Sequence, residues 1–244
     1  MTEVTLAEVV GVMFVAAIFR TTFGFGEALI AVPLLALIIP VKVAAPVAVL
    51  ASIVIAGFAV VRDWRHIDLR STAWLVASTL FGLPVGLVLL KCVPEMFMKL
   101  ALGAVILGFS TWSLVRARRL QLENDRFAWI FGFFAGVFGG SYGMNGPPLA
   151  IYGSLRGWPP ERFRATLQGY FLPASVLGMC GYRFAGLWTA PVNRLFTWSL
   201  PAIVAGIVVG RLFNRKLEAD RFRRLVHVGL ILVAVVLLLQ TATS

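Results

Sequence analysis

Eight apolar stretches, at about 9–39, 45–61, 71–90, 97–115, 127–155, 166–185, 195–210 and 225–241, occupy almost the whole chain. Only short charged loops separate them. Most approach the roughly 20 residues an α-helix needs to cross a hydrocarbon core, whereas barrel strands would alternate over about 10. The composition agrees, with 59% of residues hydrophobic and 14% charged. Soluble domains carry about 25% charged residues, so this chain has too little polar surface for a water-soluble globule. The apolar content also excludes disorder. Two cysteines, Cys92 and Cys180, cannot staple 244 residues, and with no metal-ligand spacing they read as small apolar packing residues. The expectation is an all-α polytopic membrane protein in the cell membrane, the inner membrane in a Gram-negative bacterium. Glu3 and Glu8 precede the first stretch without a Lys or Arg, so the positive n-region of a signal peptide is missing and the stretch is expected to be retained. The net charge of +11 would suggest nucleic acid in a soluble protein, but here it fits basic cytoplasmic loops, and no nucleic-acid motif is present.

The first and fifth stretches are too long and are broken near their middles. A straight helix of 31 residues would reach about 46 Å, well beyond a core of about 30 Å. The breaks read Phe23-Gly24-Phe25-Gly26 and Gly139-Gly140-Ser141-Tyr142-Gly143-Met144-Asn145-Gly146-Pro147-Pro148. A shift of 115 residues pairs Phe23 with Phe138, Gly24 with Gly139 and Pro33 with Pro148, and a shift of 124 pairs Gly82 with Gly206 and Gly86 with Gly210. The chain therefore reads as two four-segment repeats, 1–125 and 126–244. Extreme tilt would accommodate the long stretches, but a hairpin of two half-length helices fits better, since the glycines sit at the turn. Irregular backbone at membrane depth survives only inside protein or against a cavity.

Charge counting favours the hairpins. With six full crossings and two hairpins, the loops at 62–70, 116–126, 156–164 and 211–224 share one face and hold 16 Lys and Arg. The other face holds five: Lys42, Lys91, Lys99, Arg183 and Arg194. Single crossings throughout would split the charges nine against twelve, and the positive-inside rule prefers the first arrangement. Three crossings per repeat make the repeats inverted. Both termini then lie outside the cytoplasm, and the hairpin tips meet near the midplane.

Inverted repeats with broken helices are a transporter architecture. A half-helix start leaves backbone N–H groups free at its positive dipole end, where an anion can bind. Gly24 and Gly26 precede a half-helix expected over Glu27 to Leu37; Gly143 and Gly146 precede one expected to start at Pro147. Tight packing through small residues is the competing account of these glycines. Arg20 and Glu27 are charged residues inside an apolar run, each costly there by about 2.5–3.5 kcal/mol. They read either as a mutual ion pair or as an anion contact and a proton-coupling group. Tyr142 and Asn145 can donate to a substrate oxygen. Gln168 and Ser175 share a helix face and either line the cavity or bond between helices. Gly139-Gly140-Ser141-Tyr142-Gly143 also fits GxSxG, but no strand precedes it, and the histidines, His66 and His227, lie in or beside loops.

Gly24-Phe25-Gly26 with Val32-Pro33-Leu34-Leu35, and Gly136-Val137-Phe138-Gly139-Gly140 with Gly146-Pro147-Pro148-Leu149, resemble the two signatures of the TauE/SafE sulfite-exporter family. Gly82-Leu83-Pro84-Val85-Gly86 resembles its glycine-rich third segment. The resemblance covers nearly the whole chain and implies a transporter of sulfite, sulfoacetate or related organosulfonates, not an enzyme. Its signature positions fall on Gly24, Gly26, Pro33, Gly139, Gly140 and Pro148. Glu27 and the polar second tip depart from the commonest pattern. The expected function is secondary transport of a small anion by alternating access. An anion channel of the same architecture and, more remotely, a membrane-embedded enzyme are the alternatives. The expected substrate-binding residues are Arg20, Phe23, Gly24, Gly26, Glu27, Gly139, Gly140, Tyr142, Asn145, Gly146 and Gln168, with Glu27 coupling protons. No metal or cofactor is called for, and no Walker motif occurs. Expected partners are the anion and membrane lipid; a homodimer stays open.

Overall fold

Helix dominates because long apolar runs must satisfy every backbone N–H and C=O within the segment. The computed structural model describes residues 3–115, 122, 125–213, 230–232, 234–236 and 238–239, and among these no strand occurs. In chain order the helices are α1 (Glu3–Phe23), α2 (Glu27–Ala36), α3 (Val41–Asp63), α4 (Leu69–Cys92), α5 (Glu95–Val115), α6 (Ala128–Tyr142), α7 (Gly146–Leu155), α8 (Pro160–Phe184) and α9 (Ala190–Phe213). Five are long and apolar enough to cross a membrane: α1, α3, α4, α5 and α9. α8 is 25 residues long but carries Arg162, Arg164, Gln168 and Arg183. The arginine-rich loops at 116–121 and 214–224, His227, and most of the eighth apolar stretch lie outside the described residues.

Both long stretches break where the glycines stand, but the arms are unequal. α1 has 21 residues and, at 1.5 Å each, is about 31 Å long, enough to cross alone. α2 and α7 have 10 residues each and α6 has 15. The expected pair of half-length arms therefore holds for α2 and α7 and fails for α1. α2 ends at Ala36, one residue before the expected Leu37, and α7 begins at Gly146, one before Pro147.

The register between the halves also differs from the sequence reading. α1 and α6 end at Phe23 and Tyr142, α2 and α7 begin at Glu27 and Gly146, and α3 and α8 begin at Val41 and Pro160. Each pair is 119 residues apart, one helical turn beyond the 115 suggested by matching residues. Gly24 and Gly143, also 119 apart, both take positive φ, 87° and 66°. Pro40 and Pro159, again 119 apart, are both N-caps, with ψ of 142° and 150°.

Packing repeats between the halves as well. A Cβ on Gly82 would strike the Phe133 carbonyl, and one on Gly86 the Val137 carbonyl. A Cβ on Gly206 would lie 2.7 Å from the Phe14 carbonyl, and one on Gly210 2.8 Å from that of Ile18. So α4 runs parallel to α6, and α9 parallel to α1, each pair joined through close glycine contacts. The glycine register of 124 thus matches the packing. α3 and α8 cross antiparallel: Ser175 meets Ser52 at 2.9 Å, and Gly178 lies against Val49.

Hydrogen bonds fix which loops share a face. Arg162 donates to Asp68 at 2.5 Å, and the Asp68 amide donates to the Thr166 hydroxyl at 3.0 Å. Arg156 donates to the Leu122 carbonyl at 3.0 Å. The α3–α4, α5–α6 and α7–α8 connections therefore meet on the arginine-rich side. Lys42 donates to the Lys91 carbonyl at 3.1 Å on the opposite side. Because α1 runs parallel to α9, it enters from the arginine-poor side, while α6 enters from the arginine-rich one. Asp68 caps α4 by accepting from the Ser71 amide. Burial alone would raise its carboxyl. The Ser71 amide, Arg162 and the Ser71 hydroxyl outweigh that and hold it below the ordinary aspartate value.

Cys92 and Cys180 are both free and exposed, not packed inside as expected. Both sit on helices in a chain whose outer surface is itself apolar, so a small apolar residue gains nothing by facing inward.

Candidate functional site

Arg20 lies in the last turn of α1, three residues before the break, and is completely buried. A buried guanidinium needs partners for its five N–H groups, and four are satisfied by protein. Nε and Nη2 donate to Gln168 Oε1 at 3.2 and 2.8 Å. Nη1 donates to Ser52 Oγ at 2.7 Å and to Glu27 Oε1. The guanidinium carbon also stands 4.6 Å from the centroid of the Phe171 ring, a cation–π arrangement. Three elements besides α1 therefore hold Arg20: α2 through Glu27, α3 through Ser52, and α8 through Gln168 and Phe171.

Gln168 does more than accept from Arg20. Its Nε2 donates to the Gly24 carbonyl at 2.7 Å, tying the open end of α1 to α8. Gly24 and Gly26 carry the backbone through φ of 87° and 98°, a left-handed region that L side chains seldom enter. α2 then starts at Glu27 with no side-chain cap, so its first N–H groups point into the break.

The two breaks face one another. A small cavity, about 10 Å³, is lined by Gly26, Glu27, Ala28 and Leu29 from the first break. From the second it is lined by Gly143, Met144, Asn145, Gly146 and Pro147, and Phe171 closes one side. Asn145 is held by donating Nδ2 to the Tyr170 hydroxyl at 3.3 Å. That hydroxyl lies 2.6 Å from Thr79 Oγ1 on α4. The two helix starts are not alike. Pro147 and Pro148 occupy the first turn of α7 and have no N–H, so α7 offers fewer free donors than α2.

Of the expected site residues, the structure brings together Gly26, Glu27, Asn145 and Gly146 at the cavity, with Arg20 and Gln168 directly behind Glu27. Others lie elsewhere. Tyr142 donates its hydroxyl to the Met98 carbonyl at 2.9 Å, away from the cavity, because α5 passes beside the end of α6. Gly140 is pressed against the Leu83 carbonyl of α4, while Gly139, whose carbonyl accepts from the Tyr182 hydroxyl at 2.9 Å, lies behind the cavity against the Asn145 side chain. Phe23 packs on Phe19 with ring centroids 4.6 Å apart. Gly24 sits under the side chain of Arg164. Ser141, the serine of the GxSxG match, is in the last turn of α6 and donates to the Val137 carbonyl at 2.7 Å. Sequence reasoning missed Ser52, Phe171, Met144 and Pro147. Ser52 and Phe171 carry no signal of their own, but Pro147 stands inside the quoted second break.

The match to known proteins is consistent with this layout. The family profile described as sulfite exporter TauE/SafE matches residues 9–237. The chain belongs to the TauE/SafE family. A protein of Cupriavidus necator named "Probable sulfite/organosulfonate exporter TauE" is 27% identical over 232 residues, covering 93% of this chain and 91% of that one. No solved structure matches. The chain is thus a multi-pass protein of the cell membrane in a family of exporters.

Proposed function

We propose that this protein is a secondary transporter of a small sulfur-containing oxyanion, sulfite or an organosulfonate, working by alternating access around the cavity between the two breaks. The observation that carries the reading is the opposition of two helix breaks, one from each half, across one cavity beside a buried Arg20–Glu27 pair. Membership of an exporter family, and the name of the Cupriavidus necator relative, supply the substrate class.

The halves 1–125 and 126–244 are read as inverted repeats. The antiparallel crossing of α3 and α8 supports this, as does the reciprocal pairing of α4 with α6 and α9 with α1. In such a fold the two halves rock about the central site. The α2 N–H groups, Asn145 and Arg20 provide donors for the oxyanion. Glu27 competes with the anion for Arg20, so its protonation frees Arg20 and couples proton to anion. No covalent chemistry is required.

Flux of radiolabelled sulfite and sulfoacetate into proteoliposomes, with and without an imposed proton gradient, tests the reading. Accumulation driven by the gradient is expected. Flux that never exceeds the anion's own electrochemical gradient would replace the carrier by a channel, and flux no greater than in protein-free vesicles would end the anion reading.

A further inference from the structure

Charge balance at the cavity limits what it can accept. Glu27 is the one charged residue among those lining it, and its carboxylate is matched by Arg20 behind it. Arg164, the nearest other cation on α8, lies over Gly24 outside the lining, is partly exposed and has partner contacts of its own. Glu27 is only 4% exposed, and while one carboxylate oxygen accepts from Arg20, the other has no donor among the described residues. Arg20 in turn has one N–H left, so it cannot offer a free two-pronged grip without releasing Glu27 or Gln168.

We propose that this site admits an oxyanion in its singly charged state and excludes the doubly charged one, with Glu27 taking the single accompanying proton. The inference rests on the transport reading above and deepens it. With Glu27 protonated on its unpartnered oxygen, Arg20 carries one positive charge and a monoanion restores neutrality. The step is one proton moving from water to carboxylate, with no other bond made or broken. A dianion leaves one negative charge uncompensated even then, and two if Glu27 stays ionised. Burying an unpaired charge is strongly unfavourable. The helix starts cannot supply the missing charge. A helix N-terminus is worth roughly half an elementary charge, and α7 opens with two prolines.

The test uses the purified full chain in detergent and two ligands of similar tetrahedral shape, measured by titration calorimetry. Methanesulfonate carries one charge and sulfate two at any working pH. Methanesulfonate is expected to bind at least about tenfold more tightly than sulfate. In Glu27→Gln, which removes one negative charge, sulfate should gain about tenfold and methanesulfonate less. Sulfate binding as tightly as methanesulfonate to the unaltered protein overturns the charge limit but leaves the anion site standing. Sulfate that gains nothing in a folded Glu27→Gln removes Glu27 as the cause. If neither ligand binds, the anion site itself falls, and the charge limit with it. The comparison on the unaltered chain decides even if the variant does not fold.

Discussion

At the scale of single residues, Arg20 and Glu27 are legible because charge inside an apolar run is expensive and must be explained. Gln168 is legible for the same reason of polarity inside an apolar run, but Ser52 and Phe171 are not, since such a serine or phenylalanine is unremarkable in a membrane helix until packing sets it beside a guanidinium. The cage around Arg20 changes what its removal means. Arg20→Ala leaves Glu27 buried without its partner, and breaking such a pair costs about 3–5 kcal/mol. It should lower the unfolding midpoint in detergent as well as abolish transport. Arg20→Met combined with Glu27→Leu replaces both charges by apolar groups and should recover much of that midpoint without recovering flux. If the double variant transports normally, the pair is only structural. Asn145→Ala should weaken anion binding by about 1–3 kcal/mol, one lost hydrogen bond, while Tyr170 keeps its contact with Thr79. Unchanged affinity would take Asn145 out of the site. Outside the membrane, Asp68 gives a pH prediction of definite sign. Its carboxyl is held below the ordinary 3.8, so its stabilising contribution is present above that value and fades as pH falls through the lower one. The unfolding-midpoint difference between the unaltered chain and Asp68→Asn should therefore shrink between neutral and acid pH; a constant difference would show that the charge contributes nothing.

At the scale of elements, the breaks were readable and their register was not. Gly24 and Gly26 must be glycine where the chain turns left-handed, so the first break could be placed to the residue. The shift of 115 matched side-chain identities, Phe with Phe and Gly with Gly. The fold instead matches backbone events: helix ends, left-handed turns and proline caps, all at 119. In an almost uniformly apolar chain, identities recur by chance at one-turn offsets, whereas a helix end occurs once. The same ambiguity explains why Gly139 and Gly140 looked like a binding tip. Gly140 packs against α4 at Leu83 and Leu87, whereas Gly139 lies against the side chain of Asn145. The close contact of α4 with α6 is testable at Gly86, where a Cβ would run into the Val137 carbonyl. Gly86→Ala should lower the unfolding midpoint, since overpacking costs about 1–3 kcal/mol. Gly108→Ala, on α5 with nothing within 4 Å of its added Cβ, is the control and should leave the midpoint unchanged or slightly raised. Equal effects at the two positions would mean that α4 and α6 are not joined through their glycines.

At the scale of the whole molecule, sidedness is an expectation from charge, and the contacts between connections give which of them share a face. Charge counting predicts that the loops around Arg62 and Arg162 face the cytoplasm, and the Arg162–Asp68 bond holds those same loops together on one face. The chain direction then follows from packing. α9 leaves the arginine-poor side and ends at the arginine-rich one, and α1 runs parallel to it, so α1 starts on the arginine-poor side, which the positive-inside rule predicts to face away from the cytoplasm. The length of α1 is what puts this at risk, because a mostly apolar helix of 21 residues is long enough to cross the membrane alone. A labelling experiment separates the possibilities. Cys92 and Cys180 are exposed and would react themselves, so both are first replaced by serine. Single cysteines then go in at Glu3, Arg118, Arg215 and Ser244, the last three lying outside the described residues. With an impermeant thiol reagent added to intact cells, Glu3→Cys and Ser244→Cys should be labelled, and Arg118→Cys and Arg215→Cys should react only after lysis. Labelling of Arg118→Cys in intact cells would invert the molecule and set aside the positive-inside assignment. Protection of Glu3→Cys with labelling of Ser244→Cys would mean that the two halves differ in their number of crossings. The reciprocal packing of α4 with α6 and α9 with α1 would then not reflect an inverted repeat, and the alternating-access scheme built on it would lose its symmetry.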